Sequence, residues 1–180
     1  SVTPKSSQTI TFINPGDRDF GTELTLSATA SSGLGVTFTS ETPEVCTVTS
    51  DGKVTFLKAG TATIKASQEG NAAYLAAESV SQSFTVNAVK PGAPTNVTAT
   101  AGDGKATVSF TAPAFNGGSA ITGYTVKSNP GGITATGTTT EIEITGLTNG
   151  VSYTFTVTAT NVAGESMASS ESDSVTPKGN

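Results

Sequence analysis

The chain carries one thiol, Cys46, within EVCTVTSDGKVTFLKAGTATI over residues 44–64. A thiol can ligate a metal, attack a carbonyl as thiolate, pair with a second chain or fill a core. Nucleophilic use needs a base that titrates near neutrality, and His is absent from all 180 residues. The many serines and threonines lack an activator for the same reason, because the lysines are scattered singly. Glu141 and Glu143 are close in sequence but alternate with Ile142 and Ile144. On a strand that spacing puts both carboxylates on one solvated face, whereas glycoside hydrolysis needs them opposed across a cleft. Asp17, Asp19 and Glu23 in NPGDRDFGTE form the one candidate calcium cluster, with Arg18 in its midst and a solvated loop as the competing reading. No Gly-rich loop of the phosphate-binding kind precedes a helix pattern, so no nucleotide cofactor is expected.

Composition narrows the partners. The net charge is −5 and only 13% of residues are charged, so no Lys/Arg face is offered to nucleic acid or to anionic lipid. No apolar run approaches the roughly 18 residues that span a bilayer, so no direct membrane insertion is expected. The N-terminal SVTPKSSQ lacks a signal peptide's apolar core, which fits a mature product or an excised piece. Trp is absent and aromatics make up 6%, leaving Tyr74, Phe20 and Phe115 as the loop aromatics on which a glycan could stack. Asn96-Val97-Thr98 is an N-glycosylation triplet of the kind that arises by chance.

Apolar residues recur at period two along the chain, which is the strand signal. In the first half they are Ile10/Phe12, Leu24 to Ala30, Val36/Phe38, Cys46/Val48, Val54/Phe56, Ala62 to Ala66 and Phe84/Val86. Asp51-Gly52 between two such runs predicts a type I′ hairpin. Two prolines and a glycine then interrupt the pattern, so residues 89–94 read as a short, stiff linker. The alternation resumes with Val97 to Ala101, Ala106 to Phe110, Tyr124/Val126, Ile142/Ile144, Tyr153 to Ala159 and Val175. No helical period intervenes. The expected fold is all-β: two tandem immunoglobulin-like antiparallel β-sandwiches, at 1–88 and 95–180, joined by that Pro/Gly linker. In this phase Cys46 and Ala62 point into the first core, so Cys46 is a core filler, with an inter-chain disulfide as the rival reading.

TSETPEVCTVTSDGKVTFLKAGTATIKAS, residues 39–67, resembles the bacterial immunoglobulin-like (Big) domains of invasin- and intimin-type surface proteins. Pro43, Val45, Thr47, Val48, Gly52, Val54 and Ala59 to Ile64 carry the likeness, and residues 71–86 resemble the closing strand region of one subgroup. In that subgroup a second cysteine often stands where this chain has Ala62, so the resemblance makes Cys46 half of a disulfide position whose partner is missing. The second half, from PGAPTNVTATAGDGKATVSFTAP through GGSAITGYTV to ITGLTNGVSYTFTVTATNVAGES, resembles a bacterial fibronectin type III domain. Leu147 to Tyr153 matches its tyrosine corner, which implies a structural phenol. Phe110 stands where such domains commonly carry Trp.

These resemblances imply a non-catalytic spacer or stalk with adhesion-type loops, located at a bacterial cell surface or secreted; this piece alone is expected to be monomeric. Its partners would be the neighbouring domains of a larger surface assembly and a protein or glycan ligand. An accessory module of a secreted polysaccharide-degrading enzyme and a phage virion decoration or fibre protein are the alternatives.

Overall fold

The computed structural model of the chain describes residues 2–180; Ser1, where the first domain read from the sequence begins, lies outside the described residues. Every regular element among the described residues is a strand. The chain divides into two compact units, one ending at Ala88 and the other starting at Val89.

The first unit holds β1 (Ile10–Phe12), β2 (Arg18–Asp19), β3 (Leu24–Thr25), β4 (Ala28–Ala30), β5 (Thr37–Ser40), β6 (Cys46–Val48), β7 (Lys53–Phe56), β8 (Gly60–Ser67) and β9 (Val80–Asn87). One sheet has the order β2-β9-β8-β5, a second β3-β7-β6, and β1 pairs with β4. Alternation decides which side chains meet between the sheets. Phe38, Ala62, Ile64, Ala66, Phe84 and Val86 come from one sheet, and Leu24, Cys46, Val54 and Phe56 from the other. Burying each of the larger ones stabilises the fold by roughly 1.5–3 kcal/mol relative to leaving it in water.

Two local features differ from the sequence expectation. The single alternating run from Leu24 to Ala30 is divided between sheets: its first part pairs with β7 and its last part with β1. The Asp51-Gly52 hairpin is also not a two-residue type I′ turn. Thr49 N–H bonds Lys53 O at 2.9 Å and Gly52 N–H bonds Thr49 O at 2.9 Å, which makes a three-residue loop with Gly52 at φ 99°. Thr49 selects this longer loop, because its hydroxyl both accepts from Lys53 N–H at 2.9 Å and donates to the Asp51 carboxylate.

The second unit holds β10 (Thr95–Gly102), β11 (Lys105–Thr111), β12 (Gly123–Asn129), β13 (Thr134–Gly137), β14 (Glu141–Thr145), β15 (Thr154–Asn161) and β16 (Gly164–Glu165). Its sheets run β10-β11-β14 and β13-β12-β15-β16. Val108, Val126, Ile144, Phe155 and Val157 are fully buried between them. Residues 89–94, a linker by sequence, lie along this unit: Val89 N–H bonds Gly117 O and Gly92 N–H bonds Phe115 O, both at 2.9 Å. β9 ends at Asn87, ahead of the prolines, and the Val89 and Gly92 amides on either side of Pro91 find acceptors in the loop after β11.

Candidate functional site

Cys46 is completely buried on β6, among the apolar side chains of the first core. The Ser40 hydroxyl donates to Cys46 O at 2.7 Å and lies 3.6 Å from its Sγ. Ala62 on β8 is also at 0% exposure and belongs to the same core. A thiol in that setting is shielded from reagents and from a partner chain.

Asp17 precedes the short parallel strand β2 and Asp19 ends it, and both serve it. Asp17 Oδ1 accepts from Thr85 N–H at 2.8 Å, and Asp19 Oδ1 accepts from Asn87 Nδ2 at 3.2 Å. Both carboxylates thereby fasten the edge of the sheet to β9. Among the described residues no three His, Cys, Asp or Glu side chains converge as a metal site requires, so Glu23 does not join the pair in a calcium cluster. The signal for the actual role is the spacing: carboxylates two apart in extended chain at a sheet edge fall on one side of it.

Glu141 and Glu143 lie on the outer face of β14. Glu143 forms a salt bridge with Lys105 at 2.9 Å, diagonally across β11 and β14, and Glu141 accepts from its register partner Ser109 at 3.4 Å. About half of each side chain of the Lys105–Glu143 pair is exposed, so its net contribution is at most about 1 kcal/mol.

Tyr153 is 4% exposed, and its phenol oxygen accepts the Thr148 N–H at 3.0 Å, while Leu147 N–H bonds Gly104 O at 2.9 Å. Together they hold the turn between β14 and β15 against the β10–β11 turn. Phe110 meets Tyr124 edge to face with ring centroids 4.8 Å apart, so two aromatic rings occupy this part of the core.

Sequence alternation misses two features. Asn161, 4% exposed at the end of β15, donates from Nδ2 to Val89 O at 2.7 Å and to Asn116 O at 2.8 Å, and accepts Ala163 N–H on Oδ1 at 2.8 Å. Ser166, Ser169 and Ser172 are buried against β15 at a spacing of three residues, a period that a search for twos and 3.6s passes over. Around Gly123 lies an open trough of about 300 Å³, lined by Thr122, Tyr124, Thr125, Thr136, Thr138 and Thr160. No charged residue lines it.

The geometry is thus one of closed cores, fastened edges and a tyrosine-pinned crossover. Residues 92–175 match the fibronectin type III domain. Ahead of that fibronectin type III domain, residues 34–71 match the bacterial Ig-like domain. Domains of these two kinds are generally non-catalytic scaffolds, structural or adhesion-type, and are typical of extracellular or surface proteins. A crystal structure of a run of titin domains is 17% identical to this chain, covers 96% of it and 66% of that chain, and superposes with a TM-score of 0.51, which shows the tandem sandwich fold. A structure of titin kinase with its flanking domains is 28% identical over 51% of this chain, with a TM-score of 0.46. The twitchin kinase region of C. elegans is 29% identical over 51% of this chain, also at 0.46. This chain spans only 18% and 17% of the lengths of those two proteins. No curated protein matches the chain.

Proposed function

We propose that the chain is a non-catalytic spacer and adhesion-type module pair of a bacterial cell-surface or secreted protein. The observation that carries this reading is where the backbone comes into each unit and where it leaves. In the second unit the incoming segment is bonded to Phe115 and Gly117, in the loop after β11. The outgoing segment is bonded at Pro177 O by Gly150 N–H at 2.8 Å, in the turn that packs on the start of β11. Incoming and outgoing chain therefore sit at opposite ends of the sandwich. In the first unit Ser6 is bonded to the loop that follows β8, and β9 runs from that loop to Asn87 beside the start of β8. A unit threaded end to end passes tension through its length and adds its length to a stalk. A domain whose termini sat together would hang from the stalk as a side branch.

The partners in this reading are the neighbouring domains of a larger surface assembly, with loop contacts to a protein or glycan, and no cofactor is needed. Small-angle scattering on the chain tests the spacer role: a maximum dimension close to the summed lengths of two sandwiches supports it, and a collapsed pair overturns it. Antibody labelling of intact cells of the source organism tests the location separately. Labelling that requires permeabilised cells would overturn the surface assignment.

A further inference from the structure

Beyond β16, the last segment of the second unit follows β15 without being a regular strand. Ser166, Ser169, Ser172 and Val175 donate their N–H groups to the carbonyls of Ala159, Val157, Phe155 and Tyr153, at 2.7 to 2.9 Å. The return bonds are unusual. The N–H groups of Ala159, Val157 and Phe155 donate to the hydroxyls of Ser166, Ser169 and Ser172 at 2.9, 2.9 and 3.0 Å, in place of main-chain carbonyls. Each hydroxyl passes its own hydrogen to the next carbonyl outward, at Met167, Ser170 and Asp173, at 2.8, 2.9 and 2.9 Å. Only at Val175 does the ordinary two-way main-chain pair with Tyr153 return. The segment thus advances three residues for every two of β15, which amounts to a bulge at each rung.

We propose that these serine hydroxyls terminate the sheet, so that no strand from a second copy or from a like neighbouring module can add at this edge. An added strand needs outward N–H and C=O groups that recur every second residue, about 6.6–6.8 Å apart. Here the outward groups recur every third residue, and the carbonyls of Met167, Ser170 and Asp173 already accept the hydroxyl bonds. The protection matters at this place because Val162 and Met167 are 76% and 85% exposed beside it, and apolar side chains on an open edge favour pairing between chains. Other edges of the unit are blunted by different means. β10 has a register shift between Thr95 and Thr98, with Asn96 at φ 54°; β14 presents Glu141 and Glu143; β13 is four residues long. Closed edges allow similar sandwiches to be strung close together at high local concentration without exchanging strands, a property the spacer reading does not itself supply.

The test regularises the segment within the full chain. Deleting the exposed residues Ala168, Glu171 and Ser174 leaves Ser166, Ser169, Ser172 and Val175 at period two and opens the edge. The expected result is concentration-dependent self-association in light-scattering-coupled sizing chromatography, with the unaltered chain monomeric at the same concentrations. A folded deletion variant that stays monomeric, or an unaltered chain that dimerises through this edge, overturns the proposal. Deleting Glu171 alone is read the same way if the triple deletion does not fold. A second arm reads the rungs directly: Ser169→Ala should speed amide exchange at Val157 by roughly tenfold relative to Thr156 and Thr158, with Ser169→Thr restoring protection. Unchanged exchange at Val157 in Ser169→Ala overturns the hydroxyl's role.

Discussion

The carboxamide of Asn161 donates to Val89 O at 2.7 Å, joining the end of β15 to the first residue of the second unit. The same nitrogen bonds Asn116 O, so one buried side chain fastens the incoming backbone and the loop after β11 together. Gly117 makes that closeness possible, because a Cβ there would lie 1.9 Å from Val89 O and its φ is 76°. Asn161→Ala removes three hydrogen bonds and leaves two carbonyls without their donor. The expected cost is about 2–4 kcal/mol in chemical denaturation of the second unit. Faster amide exchange at Val89 and Gly92 should accompany it, and unchanged exchange there would contradict the tie.

Tyr153→Phe keeps the ring and removes the acceptor of Thr148 N–H. The expected loss is about 1–2 kcal/mol, with the chain still folded and with Thr148 exchange accelerated. Tyr153→Ala also opens a cavity beside Phe155, whose ring lies 6.4 Å away, and should cost about 3–5 kcal/mol. Equal losses for the two variants would show that the phenol, and not the ring, is the larger part.

How far the sequence disclosed these devices depends on the period each one has. Ile142 and Ile144, or Val54 and Phe56, are buried on one side and polar on the other, so alternation alone locates their strands. β13 escapes because Thr134, Ala135, Thr136 and Gly137 give no apolar contrast between its faces. β2 escapes because it is two residues long and is held by the Asp17 and Asp19 carboxylates, which by composition alone equally suit a cation. The serine rungs escape because hydroxyls replace carbonyls and stretch the repeat to three. The Val89–Gly92 bonds depend on Gly117, Phe115 and Asn161, which no local pattern links to the prolines.

Gly52 is constrained from two directions. Its φ is 99°, and a Cβ on it would lie 2.7 Å from Leu26 O and 3.1 Å from Phe38 Cε2. Backbone carbonyl and core ring cannot both give way. Gly52→Ala should therefore destabilise the first unit by about 2–3 kcal/mol, more than conformational strain at a roomy turn would. Gly146, at φ 79° with nothing within 4 Å of an added Cβ, is the control and should cost about 1 kcal/mol as Ala.

Asp51 provides a pH signature. The Thr49 hydroxyl bond and then its own backbone N–H, with a lesser pull from the Lys53 charge, hold its carboxyl below the ordinary value of 3.8 against an opposing desolvation. A folded-state value below the unfolded one means the contribution is complete above 3.8 and is lost as pH falls through the folded value. Asp51→Asn should thus show a shallower acid-side decline in stability than the natural chain. Parallel acid titrations of the two, followed by thermal midpoint, check it; identical slopes below about pH 4 would remove Asp51 from the account.

Cys46 and Ala62 face one another's sheets from β6 and β8, and both are fully buried. Just ahead of β6, Val45 reaches the start of β8: its Cγ2 lies 3.4 Å from where a Cβ on Gly60 would be. In the natural chain the thiol should resist a maleimide reagent until the first unit unfolds; rapid labelling of folded protein would place it at the surface. Ala62→Cys supplies the missing partner. Reduced, the variant adds a sulfur atom to a filled site and should lose about 1–3 kcal/mol. Oxidised, it closes a loop of about 15 residues around the β6–β7 hairpin, an effect of roughly 3 kcal/mol on the unfolded state. The two states should therefore move the denaturation midpoint in opposite directions from that of the natural chain, reversibly with reductant. Two titratable thiols persisting under oxidising conditions, in protein that remains folded, would mean the strands hold these positions too far apart for the bond.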